Sequence, residues 1–138
     1  MIMEYLLINH LLNTKKTFMF IYYFERLEVW KNARSLSKDI HILTNRFPKE
    51  ELFGLVSQLR RATYSIPANI AEGMSRNSNK EKLRFLNIAY SSAMEVINFL
   101  ILSLDLEFLT IEEYNYTREK IGHITNQIYA LSKKIGES

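Results

Sequence analysis

The chain has 138 residues, a length that fits one domain with a single buried core. Hydrophobic residues make up 47% and charged residues 24%, with Gly 4 and Pro 2, a globular composition with too little turn material for an all-β fold. Cys 0 excludes a disulfide framework, a thiolate nucleophile and a cysteine zinc site, while a net charge of +3 permits an anionic partner without requiring one.

The opening "MIMEYLLINHLLNTKKTFMFIYYF" has no basic stretch ahead of its apolar part and no small-residue cleavage site, so it does not read as a secretory signal. The composition changes before Phe24, which divides the chain into an N-terminal extension over 1–23 and a folded domain over 24–138. From Leu27, the spacing of Ala33, Leu36, Ile40, Leu43 and Phe47 predicts a first helix. Pro48 with Glu50 and Glu51 marks the start of a second, because proline loses nothing in a first turn and carboxylates suit the positive helix end. Leu52, Leu55, Leu59, Ala62, Ile66 and Ile70 follow its apolar face, and Gly73 is expected to end it in a left-handed conformation. Pro67 removes one amide donor inside this helix, which predicts a bend costing about 3 kcal/mol, with the Thr63 and Ser65 hydroxyls capping the strained turn.

"SNKE" predicts a capping box, Ser78 with Glu81, at the start of a third helix carrying Leu83, Leu86, Ala89, Ala93, Val96, Leu100 and Leu104. It runs to about Leu106 and spans roughly 40 Å. Its last part, "VINFLILSLDLEFL", is short for a membrane span and contains Asn98, Asp105 and Glu107, so a soluble, cytoplasmic protein is expected. The same run is apolar nearly all round, more than one buried stripe needs, which predicts association with further copies. "TIEE" repeats the capping device at Thr110 and Glu113 and opens a fourth helix through Tyr114, Thr117, Ile121, Ile128, Leu131 and Ile135, ending at Gly136. Short connections near 45–49, 74–77 and 107–109 turn neighbouring helices back on one another. The expected fold is all-α, an antiparallel up-down-up-down four-helix bundle.

"RRATYSIPANIAEG" places polar groups beside the core of the second helix. Gln58, Arg61, Ser65, Asn69 and Glu72 form a stripe about 100° from the apolar line, and with Glu95 they read as a structural polar seam bonded to a neighbouring helix or subunit. The functional reading joins Arg60 and Arg61 with Arg76, Lys80, Lys82 and Arg84 as a phosphate-binding surface, since the planar guanidinium grips phosphate with two hydrogen bonds. Arg60 and Arg61 lie a few helical turns from Arg76, so the spacing does not by itself assure a single continuous patch in one subunit.

Three strings, "FERLEVWKNA", "FGLVSQLRRATYSIPANIAEGMSR" and "FLNIAYSSAMEV", resemble the 23S rRNA intervening-sequence proteins, also called four helix bundle proteins, from about Phe24 to Ile135. The resemblance implies an antiparallel bundle of bacterial origin that assembles as a homopentamer, with no established activity. A related fold in the accessory protein of diversity-generating retroelements is a basic pentamer that associates with nucleic acid, which implies RNA or a ribonucleoprotein as partner here. Family-type positions are Gln58, Arg60, Arg61, Asn69, Glu72, Gly73, Arg76 and Glu95, none assigned to catalysis. Members begin close to "FERLEVW", so two readings of the leader stand: Met19 lies nearer the native start, or the leader is a variable extension.

Other chemistry has weaker support in the residues. Glu50/Glu51 and Glu112/Glu113 read as first-turn charges, and the Glu-x-x-His motifs of di-iron bundles are missing, so no metal and no cofactor is expected. Arg118 and His123 are similar to the arginine-histidine pair of HEPN-type ribonucleases, but sit about 140° apart on a helix. Trp30, Phe85 and Phe99 read as core or interface residues rather than base-stacking rings. The expected protein is a non-enzymatic homo-oligomer with a basic surface; a protein-protein scaffold is the alternative, and a HEPN-like ribonuclease a third reading.

Overall fold

A computed structural model describes residues 1–14 and 19–138. Those residues form five α-helices and no strand: α1 (Ile2–Thr14), α2 (Glu28–Thr44), α3 (Ser57–Met74), α4 (Asn79–Asp105) and α5 (Ile111–Gly136). Of the expected N-terminal extension, residues 15–18 lie outside the described part; in α1, Ile2, Met3, Tyr5, Leu6 and Leu7 are exposed.

Each of the four longer helices buries one stripe. Ala33, Leu36 and Ile40 of α2, Leu59, Ile66 and Ile70 of α3, Leu86, Ala89, Ala93, Val96 and Leu100 of α4, and Ile121, Ile124 and Ile128 of α5 form one continuous core. Packing follows the cycle α2–α3–α4–α5–α2, most extensive between α3 and α4 and least between α2 and α5. Across the α2–α5 seam, Asn32 donates to Gln127 at 2.9 Å, Lys120 donates to Asp39 at 2.6 Å, and Arg46 pairs with Glu113, so partners advance along α2 as they recede along α5. Ser65 meets Ser92 at 2.8 Å and Gly73 meets Phe85, the same reversed order between α3 and α4.

The helix ends correct four expectations. The second helix does not become α-helical at Pro48. A 3-10 turn (Lys49–Glu51) and a π-turn (Leu52–Val56) come first, and Gly54 leaves the helical region with φ −111° and ψ −108°. Gly73 lies inside α3, no described glycine has positive φ, and Ser75 caps the helix. Gly73 instead makes room for α4, because a Cβ there would stand 2.8 Å from the Phe85 Cβ. Ser78 caps α4 by accepting from the Glu81 amide, but the Glu81 carboxylate accepts from Arg84 Nε at 2.6 Å rather than from the Ser78 amide, so that box is half formed. The Thr110–Glu113 box is complete. Helix α3 passes through Pro67, and the Thr63 and Ser65 hydroxyls do not cap the proline turn: Thr63 Oγ1 donates to the Leu59 carbonyl at 2.7 Å and Ser65 Oγ bonds Ser92.

By length and composition the whole of α4 would be able to cross a bilayer, which its final apolar run alone does not indicate. Its buried stripe packs against α3 and α5.

Candidate functional site

Six cations define the expected basic surface, and the fold divides them between the two ends of α3. Arg60 and Arg61 stand near its first turns; Arg76 lies just past its last, roughly 24 Å further along the axis. One subunit therefore gathers Arg76, Lys80, Lys82 and Arg84 around the α3–α4 turn and leaves Arg60 and Arg61 at the far end.

At the turn, Phe85 organises two of the cations. The residue is 6% exposed, with the Arg76 guanidinium 4.7 Å and the Arg84 guanidinium 4.5 Å from its ring centroid. Each arginine is also tethered to a carboxylate, Arg76 to Glu72 at 3.1 Å and Arg84 to Glu81 at 2.6 Å. The hydrogen bond from Arg84 holds the Glu81 carboxyl below its ordinary value of 4.5. Lys80 is exposed and Lys82 half-buried beside them. The arginines are thus oriented in advance by a ring that stabilises their charge and by carboxylates that fix their direction. A guanidinium has five N–H donors, so each arginine keeps donors for a phosphate beyond the one nitrogen it turns to its carboxylate.

Arg60 has different surroundings from those its sequence neighbours indicate. Its Nε donates to Thr44 Oγ1 at 2.8 Å, and Nη2 donates to Asn45 Oδ1 at 2.9 Å and to the His41 carbonyl at 3.3 Å. It therefore serves the last turn of α2, where carbonyls lack helical partners. Arg61 is exposed on the next position. Phe53 and Tyr64, which the periodicity did not single out, share a surface groove with these arginines. The signal available was Phe53 itself, an aromatic residue off the apolar line of Leu52, Leu55 and Leu59.

The polar seam is looser than expected. Asn69 is half-buried and donates to the Ser65 carbonyl at 2.8 Å and to Ser65 Oγ at 2.9 Å, reaching α4 only through the Ser65–Ser92 contact. Glu72 is taken by Arg76, while Gln58 and Glu95 are exposed. Arg118 donates to the Tyr114 hydroxyl and lies over its ring, whereas His123 lines a separate groove with Tyr116, Glu119 and Lys120. Trp30 packs edge-on to Phe24 with centroids 5.0 Å apart. Among the described residues no group of three or more metal-ligating side chains converges.

The model of the 23S rRNA-intervening sequence protein family matches residues 25–130. The chain belongs to that family. A solved protein of unknown function from the S23 ribosomal protein family of Bacteroides thetaiotaomicron is similar in fold, with a TM-score of 0.70 and 24% sequence identity over 76% of this chain and 98% of that one. No curated protein matches the chain. Matched family positions thus run from a 3-10 turn before α2 (Tyr23–Arg26) into α5 and include every cation of the basic surface.

Proposed function

We propose that this family member is a non-enzymatic, cytoplasmic homo-oligomer, a pentamer of antiparallel up-down-up-down four-helix bundles, that presents a basic surface to structured RNA or a ribonucleoprotein. The observation that carries the reading is the α3–α4 turn, where the Arg76 and Arg84 guanidiniums both lie over the Phe85 ring and stand with Lys80 and Lys82. The reversed residue pairings along α2–α5 and α3–α4 support the bundle arrangement. Repetition of the turn in an oligomer would multiply modest phosphate contacts through effective concentration. The separation of Arg118, folded onto Tyr114, from the groove holding His123 favours binding over RNA cleavage.

Fluorescence anisotropy with a structured RNA tests this as salt is raised from about 50 to 200 mM. The intact protein is expected to lose affinity steeply, and replacement of Arg76, Lys80, Lys82 and Arg84 by alanine to weaken binding and flatten the salt dependence. Equal affinity in the fourfold variant would favour a protein-protein scaffold instead.

A further inference from the structure

At the other end of α3, a groove of about 540 Å³ lies on the surface, with Val56 as its nearly buried floor and Leu52, Phe53, Ser57, Arg60, Arg61 and Tyr64 around it. We infer that this groove takes a single-stranded nucleic acid, with bases stacked on Phe53 and Tyr64 and a backbone phosphate held by Arg61. The inference rests on the RNA-binding reading above and adds a second, chemically different contact to it.

The first observation is the exposure of Phe53. It is 92% exposed, although it sits in a turn whose neighbour Val56 is 2% exposed. The π-turn causes this. Backbone departure at Gly54 turns the chain, and the Glu51 carboxylate accepts from the Leu55 amide at 3.4 Å, which anchors the segment carrying the ring. Phe53 therefore adds nothing to the core, and its projection is set by backbone rather than by packing. Tyr64 also lines the groove, 43% exposed, with its hydroxyl 3.1 Å from His41 Nδ1, a contact that fixes the ring.

Charge decides the occupant. Both charged side chains that line the groove are arginines. Arg60 is committed to the end of α2, which leaves the exposed Arg61 to meet an external anion. Aromatic faces beside a guanidinium and the Ser57 hydroxyl suit a chain that alternates flat bases with phosphates. An apolar helix from another protein would leave Arg61 to be desolvated without a partner. A duplex is a poor fit because its bases are already stacked and their faces are covered, whereas unpaired bases can spread onto aromatic rings.

The test uses the full chain with a fluorescent oligouridylate and, separately, an RNA duplex. Phe53→Ala is expected to weaken oligouridylate binding by about tenfold or more while duplex affinity, helix content and particle size stay unchanged. Phe53→Tyr should restore binding. Arg61→Ala should weaken binding and reduce the salt slope by about 0.7, one phosphate contact on a single strand, whereas Phe53→Ala should leave that slope unaltered. Wild-type affinity for oligouridylate in Phe53→Ala would overturn the inference. So would a change of particle size in that variant, which would make the ring a contact between copies. Binding of the duplex but not of oligouridylate would sink the groove alone; binding of neither would remove the RNA reading with it.

Discussion

A methyl group on Gly73 would sit 2.8 Å from the Phe85 Cβ and 3.4 Å from the Lys82 carbonyl, and neither atom is the far end of a flexible side chain. Replacing a helical glycine by alanine ordinarily stabilises by about 0.5–1 kcal/mol, because the unfolded chain has less freedom to lose. At Gly73 the contact reverses the sign. Gly73→Ala is expected to push α3 from α4 and cost about 1–3 kcal/mol, read as a lower urea midpoint. Gly122, half-buried in α5, has nothing within 4 Å of a Cβ placed there, so Gly122→Ala should stabilise the fold by about 0.5–1 kcal/mol and raise the midpoint. The sequence pattern puts Gly73 at the end of a helix and Gly122 within one, yet both lie inside helices. What separates them is a residue on another helix, which is why Gly73 reads as a helix end until its neighbour is known.

Two similar start signals, "SNKE" and "TIEE", differ in outcome at the level of the element. Thr110 accepts from the Glu113 amide at 3.1 Å while Glu113 accepts from the Thr110 amide at 3.0 Å. The Thr110 amide first, then its hydroxyl and the Arg46 guanidinium, hold the Glu113 carboxyl below its ordinary 4.5, against the opposing effect of burial. A depressed carboxyl stabilises the fold fully above its unfolded value and loses that stabilisation as pH falls through the folded one. Urea midpoints should therefore decline below pH 4.5, and less steeply in Glu113→Gln. Thr110→Ala is expected to cost about 1 kcal/mol at neutral pH. In α4 the competing guanidinium of Arg84, three residues beyond Glu81, takes the carboxylate that the pattern assigns to Ser78. Local spacing specified the cap; an i+3 charge decided how much of it forms.

For the whole molecule, α4 buries one stripe and still exposes Ile88, Met94, Ile101 and Leu102. Light scattering at micromolar concentration is expected to show several copies per particle, and Met94→Glu with Ile101→Glu to reduce that number while helix content persists. A monomeric wild-type particle would remove the oligomer from the proposal. The positions of α2, α4 and α5, the buried residues Ala33, Leu36, Ile66, Leu86 and Ile121, and the all-α class were legible in the sequence, because a 3.6-residue period and end signals are properties of a few consecutive residues; α1 and the irregular start of α3 were not. The fate of the six cations was not. Arg60 and Arg61 are adjacent in the chain, yet one serves the end of α2 and the other faces solvent; Arg76 and Arg84 are eight positions apart, yet both lie over one ring. Such partnerships depend on which helices meet and at what height, and that is set by packing between distant segments, about which a local pattern carries no information.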